Sequence, residues 1–307
     1  MQKICVCKGS KSRAKYKIIL QKNVEFRTKV DIHNKELSLS HRHKYLLLGS
    51  CFSDSIGDKL TNAGFDSVAN PFGALYNPLS IINALSARND EFYQWTQKSC
   101  GDLDFEQVID SADVLILTFG TAWVYELKQT GHVVANCKKQ PDVLFTRRRI
   151  TTNEIEEKYT EFIENTIIPN HRTVVFTVSP IRHKKDGLHE NQLSKSILLM
   201  AIDSLCKTYP NNCYYFPSYE IVMDELRDYR FYADDMLHPS QVAVQYIWER
   251  LQQAYFCSKT IDFIEQFEHL NRILHHQPLD ASNEAHQQLV AQTKEKINQL
   301  KHAIQNQ

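Results

Sequence analysis

Three unbroken apolar runs restrict what this chain can fold into. They follow Lys44 (Tyr45-Leu46-Leu47-Leu48), Asp113 (Val114-Leu115-Ile116-Leu117) and Thr173 (Val174-Val175-Phe176). A strand with one wet face alternates apolar and polar side chains, and these do not alternate. Short continuous runs bounded by turn residues read as parallel strands covered on both faces. Each stops at small residues: Gly49-Ser50, Gly120 and Ser179-Pro180. Open α/β sheets carry their chemistry at the carboxyl edge of the strands, so the residues just after each run are the place to look. After the first run stand two potential nucleophiles, Ser50 and Cys51.

Between the runs, helix and strand patterns alternate. Helices are expected over residues 53–63, where Ile56, Leu60 and Ala63 share a face and Gly64 stops the element, and over 78–86, with Pro78 in the first turn. Further helices are expected over 151–166, with Thr152 as cap, over 192–208, and over 239–256, with Pro239 at its start. Short strands are expected over 65–69 and 213–216, and residues 123–126 and 132–135 form a hairpin around Thr130-Gly131. Parallel strands need long crossovers, so the prediction is an α/β fold: a three-layer α/β/α, flavodoxin-like parallel sheet. It spans residues 26–256, after a basic, poorly ordered extension over 1–25. A polar helical hairpin over 257–307 packs on it.

Composition excludes several classes. Lys+Arg and Asp+Glu balance at 36 each in 307 residues, so no global field draws the protein to nucleic acid. No apolar run approaches the roughly 20 residues of a membrane helix. Residues 1–22 are basic but lack the apolar core and cleavage site of a secretion signal, so the expected compartment is the cytoplasm. The eight cysteines show no zinc spacing and read mostly as reduced core fillers. His275-His276 and the scattered acids make no metal site, and neither a Walker loop nor a GxGxxG is present, so no cofactor is expected. Arg147-Arg148-Arg149 reads as a solvated loop, and Trp123 and Tyr125 as packing for the hairpin, with a flat face for a sugar ring or acyl chain as the alternative.

Far downstream lies Asp235-Met236-Leu237-His238-Pro239-Ser240. Three residues apart in a loop, the Asp235 carboxylate can accept from His238 Nδ1, which leaves Nε2 free as a base. The bland alternative is a surface turn. Ser50 would need that base, whereas Cys51 is intrinsically the stronger nucleophile. Equally, Ser50 suits a helix cap and Cys51 the core. Arg182 and His183, after the third run, can bind an anionic group, and His183 can rival His238 as base.

Gly49-Ser50-Cys51-Phe52-Ser53 resembles the signature of the GSCFA family, a branch of the SGNH/GDSL-type hydrolase superfamily. So do Asn70-Pro71-Phe72-Gly73-Ala74-Leu75-Tyr76-Asn77-Pro78, Phe119-Gly120-Thr121-Ala122-Trp123-Val124-Tyr125, Asn136-Cys137-Lys138-Lys139-Gln140-Pro141, Ser179-Pro180-Ile181-Arg182-His183, Ser194-Lys195 and the segment from Asp235 to Ser240. The resemblance runs from about Phe26 to the C-terminus and implies an α/β/α hydrolase. In the superfamily the nucleophile stands two residues after the first-block glycine; counted from Gly49 this is Cys51, with Ser50 the direct rival. Gly73 matches the second-block glycine, whose N–H serves an oxyanion. The third block normally reads Gly-x-Asn, but here Gly120-Thr121-Ala122 lacks the amide, so Asn136 or Gln140, or the N–H groups of Cys51 and Gly73, must supply it. The expected function is an esterase or acyltransferase acting on O-acyl groups, such as acetyl groups on carbohydrate. A glycan- or acyl-ligand-binding protein on the same fold is the alternative, and a redox-sensing Cys51 a third.

Overall fold

The computed structural model describes residues 27–32, 37–86, 104–135, 140–275 and 284–305. In chain order it contains β1 (Lys44–Gly49), α1 (Cys51–Asn62), β2 (Asp66–Ala69), α2 (Pro78–Ser86), α3 (Phe105–Ser111), β3 (Val114–Phe119), β4 (Trp123–Leu127), β5 (Val133–Val134) and β6 (Phe145–Arg149). There follow α4 (Thr152–Phe162), β7 (Thr173–Val178), α5 (Leu188–Thr208), β8 (Cys213–Phe216), α6 (Gln241–Tyr255), α7 (Ser258–His275) and α8 (Glu284–Gln305). The expected basic extension lies outside the described residues.

Five parallel strands pair in the order β2-β1-β3-β7-β8. This is the flavodoxin-like order, whose direction of winding reverses between β1 and β3 and opens a crevice beyond their carboxyl ends. Alternate side chains explain the unbroken apolar runs. Leu46, Leu48, Leu115, Leu117 and Phe176 join Ile81 of α2, Tyr159 of α4 and Leu198 of α5 in one core. Their sequence neighbours Tyr45, Leu47, Val114, Ile116 and Val175 join Ile56 of α1, Trp248 of α6 and Phe263 of α7 in the other. Both faces of the sheet are dry, so neither face selects polar residues.

β1 and β3 approach so closely at the crevice that only glycine fits at the end of β1. A Cβ on Gly49 would stand 2.2 Å from the Thr118 carbonyl oxygen, and its φ is +146°. The chain turns there directly into α1, which begins at Cys51 rather than at residue 53, with Ser50 as its N-cap.

Three other expectations are corrected. Residues 145–149 form β6, which pairs with β4 in a small antiparallel sheet of order β5-β4-β6, so Arg147–Arg149 are strand residues and not a loop. Their charges are matched: Arg148 meets Glu126 and Glu154, and Arg149 meets Glu190. α4 is capped by Thr151, not Thr152, in a reciprocal capping box with Glu154. Ser240, not Pro239, caps α6; Pro239 instead bridges back to Tyr232. α7 sinks Phe263, Ile264 and Phe267 into the second core, where Ile297 and Leu300 of α8 also pack. Among the described residues, Cys51, Cys206, Cys213 and Cys257 are free thiols, and no helix is long and apolar enough to cross a membrane.

Candidate active site

The turn after β1 is clamped by one side chain. Asn70 accepts the Gly49 N–H through Oδ1 at 2.9 Å, and its Nδ2 donates to the Ser50 carbonyl at 3.2 Å and to Asp54 Oδ1 at 2.9 Å. Ser50 is turned inward. Its hydroxyl donates to Ser179 Oγ at 2.9 Å and accepts the Phe52 N–H at 3.3 Å, and the residue is 1% exposed. Cys51, first in α1, is half-buried, with Sγ 3.5 Å from His238 Nε2, and both Ser50 and Cys51 touch the cavity at this edge of the sheet.

His238 arrives on a turn that Asp235 organises with both carboxylate oxygens. Oδ1 accepts the N–H groups of Leu237 at 2.8 Å and His238 at 2.9 Å, while Oδ2 lies 2.5 Å from His238 Nδ1. These bonds, first the two backbone donors and then the imidazole, hold the Asp235 carboxyl down at about 2. It stays ionised at any working pH, which fixes the proton of a neutral His238 on Nδ1 and turns the Nε2 lone pair to Cys51. The turn closes with Met236 at φ +59° and an Ala233 N–H bond to the His238 carbonyl at 2.8 Å. Burial, then the Asp54 charge, pushes the Cys51 thiol above its ordinary value, against the pull of the helix N–H groups of Cys51 and Phe52. The resting Cys51 is therefore a thiol rather than a thiolate.

The other predicted site residues separate. Gly73 does not line the cavity: its N–H closes a turn onto the Asn70 carbonyl at 2.8 Å, so it has no donor to offer an oxyanion. Gly120 likewise commits its N–H to the Tyr76 carbonyl at 2.9 Å, and a Cβ there would stand 2.8 Å from the same oxygen. It is a point of close approach rather than a binding group. Arg182 lines the cavity, but its guanidinium donates to the Met236 carbonyl and lies 4.5 Å over the Tyr232 ring. It braces the Asp235–His238 turn instead of awaiting an anion. Burial, then the Lys195 charge, lowers His183 to about 4, so it is a neutral ring near neutral pH and a poor base. Gln140 sits on the cavity rim, and Asn136 lies outside the described residues.

Sequence reasoning gave Lys195 no role in the site. Lys195 is 1% exposed, and its Nζ donates to the carbonyls of Gly120 at 2.7 Å and Ser179 at 2.6 Å, tying the ends of β3 and β7 beneath the site. Burial brings its ammonium down to about 7. Ser194-Lys195 was among the segments resembling the family, but nothing local marked the lysine as a tie beneath the site. Trp123 and Tyr125 do more than pack the hairpin: they wall the cavity, with the Arg147 guanidinium 4.4 Å and 5.3 Å from their ring centres. The cavity, of about 580 Å³, opens over Cys51 and His238 and is otherwise lined by Tyr76, Asn77, Ile181, Lys185 and Asp186, among others. A half-buried thiol, an imidazole held by a carboxylate and a ligand-sized space thus meet at the switch point of the sheet.

The chain belongs to the GSCFA family, whose sequence profile matches residues 44–100 and 89–251. Among solved structures it is similar to a protein from Bacteroides fragilis, provisionally described as an acylhydrolase, at 12% identity and a TM-score of 0.41, over 72% of this chain and 91% of the other. A carbohydrate esterase of family 3 from Talaromyces cellulolyticus is similar at 13% identity and a TM-score of 0.37, over 73% of this chain and 98% of its own. No curated protein matches.

Proposed function

We propose that this protein is an SGNH-type acyl hydrolase that cleaves O-acyl esters, such as O-acetyl groups on carbohydrate, through a Cys51–His238–Asp235 triad. The observation that carries the reading is the continuous line from Cys51 Sγ to His238 Nε2 (3.5 Å) and from His238 Nδ1 to Asp235 Oδ2 (2.5 Å). Ser50 is the structural partner of that turn.

In the proposed reaction His238 Nε2 takes the thiol proton as Sγ attacks the ester carbonyl carbon. A C–S bond forms and the carbonyl π pair moves onto oxygen. Collapse breaks the C–O bond, and the departing alkoxide takes the proton back from His238. Water then attacks the thioester and gives His238 a proton, the C–S bond breaks, and the acid leaves as Cys51 is reprotonated. Asp235 stabilises the imidazolium in both halves. The aromatic wall of Trp123, Tyr125 and Tyr76 offers apolar surface to an acyl group or sugar ring.

The test is turnover of p-nitrophenyl acetate and an acetylated oligosaccharide. His238→Ala should depress kcat/KM by at least about 10²-fold, and Asp235→Asn should also slow it by releasing the imidazole tautomer. Wild-type protein that hydrolyses neither ester while still binding the oligosaccharide would replace this reading with that of a glycan-binding protein.

A further inference from the structure

The superfamily's third-block amide is missing at Ala122, and the Gly73 and Gly120 N–H groups are both committed elsewhere. A donor set for the oxyanion must come from other residues. One is the Cys51 N–H, first in α1, where an amide has no intrahelical acceptor and stands beside its own sulfur.

The geometry points to Asn77 as the second donor, through its side-chain Nδ2; this rests on the acyl-hydrolase reading above. Asn77 is 5% exposed and lines the cavity that holds Cys51, so the little surface it keeps faces that space. Its Oδ1 accepts the Ser80 N–H at 2.8 Å, capping α2. That bond settles which end of the amide is which, because only the carbonyl oxygen can accept. Nδ2 is thereby turned away from α2, and among the described residues it has no partner.

The chain around Asn77 is fixed to both strands that flank the crevice. Leu75 N–H bonds the Gly49 carbonyl at 2.7 Å, next to the nucleophile turn. The Tyr76 carbonyl takes the N–H groups of Gly120 at 2.9 Å and Thr121 at 2.8 Å, at the end of β3. Asn77 is therefore held beside the carboxyl ends of β1 and β3, on the wall of the cavity that Cys51 also lines. A buried amide oriented before substrate arrives is the form of donor that stabilises a developing oxyanion without reorganisation. As the Sγ–C bond forms, the negative carbonyl oxygen would lie between the Cys51 N–H and Asn77 Nδ2.

Because Asn77 is also a helix cap, the test must separate the two roles. Serine and aspartate both cap well, so Asn77→Ser and Asn77→Asp keep the bond to Ser80 while removing the amide; Ser does so without adding charge. The rate of Cys51 acylation by p-nitrophenyl acetate is compared with its alkylation by iodoacetamide, which forms no oxyanion. Acylation should fall about 10²- to 10³-fold in both variants, with alkylation of Asn77→Ser within about twofold of wild type and its unfolding temperature unchanged. Acylation of Asn77→Ser at the wild-type rate overturns the inference, and so does an equal loss of alkylation, which would make Asn77 purely structural. Wild-type Cys51 that alkylates but never acylates overturns the hydrolase reading itself, and the inference with it.

Discussion

Replacing Ser50 by alanine separates a nucleophile from a structural hydroxyl. Ser50 Oγ caps α1 by accepting the Phe52 N–H and donates to Ser179 Oγ in a site that is 1% exposed. Loss of an N-cap costs about 1 kcal/mol, within a range of roughly 0.5–2. Loss of the buried hydroxyl pair adds about 0.5–1.5 kcal/mol, since among the described residues Ser179 Oγ retains only the Ile181 N–H. The sum is about 1–3.5 kcal/mol, and at roughly 2–4 °C per kcal/mol for a domain of this size the melting temperature should fall by about 2–14 °C. Thermal denaturation reads the first effect. Acylation by p-nitrophenyl acetate, measured well below the transition, reads the second and should stay within a few-fold of wild type, because no attacking atom has been removed. A Ser50→Ala protein that melts like wild type but no longer acylates would refute the assignment and make Ser50 the nucleophile.

Two further outcomes follow from the electrostatics and bracing of the site. Burial and Asp54 raise the Cys51 thiol, so its alkylation rate should climb with pH and inflect above the ordinary thiol range; a plateau reaching into acid pH would reveal a resting thiolate–imidazolium pair instead. Arg182→Ala removes the donor to the Met236 carbonyl that steadies the His238 turn and should lower kcat by about 10- to 10²-fold with little change in KM; a selective rise in KM would return Arg182 to substrate binding.

How much of this was legible depended on the range of the interaction. β1, β3 and β7 could be read because strands buried on both faces leave nothing but apolar residues. β6 could not: Phe145-Thr146-Arg147-Arg148-Arg149 looks like a loop until Glu126, Glu154 and Glu190, from three other elements, neutralise it. The Asp235–His238 pair was readable because it closes within four residues. Gly73 and Gly120 misled for the opposite reason. A glycine in the sequence announces that backbone can approach closely, but not which carbonyl its N–H will meet: Gly73 spends its donor on Asn70 in a local turn, and Gly120 spends its own on Tyr76 across the fold. Asn77 was only one residue of a family-like segment ahead of the helix that Pro78 opens. Its place on the cavity wall comes from the bonds that tie residues 75 and 76 to β1 and β3, and no local pattern records those.

The central claim is that Cys51 carries the acyl group. Protein quenched during turnover of p-nitrophenyl acetate should hold one acetyl group, mapped by peptide mass spectrometry to Cys51 and released by neutral hydroxylamine as a thioester is. Cys51→Ala should hold none and should not turn over. An acetyl group on Ser50 that resists neutral hydroxylamine, or undiminished turnover by Cys51→Ala, would contradict the account.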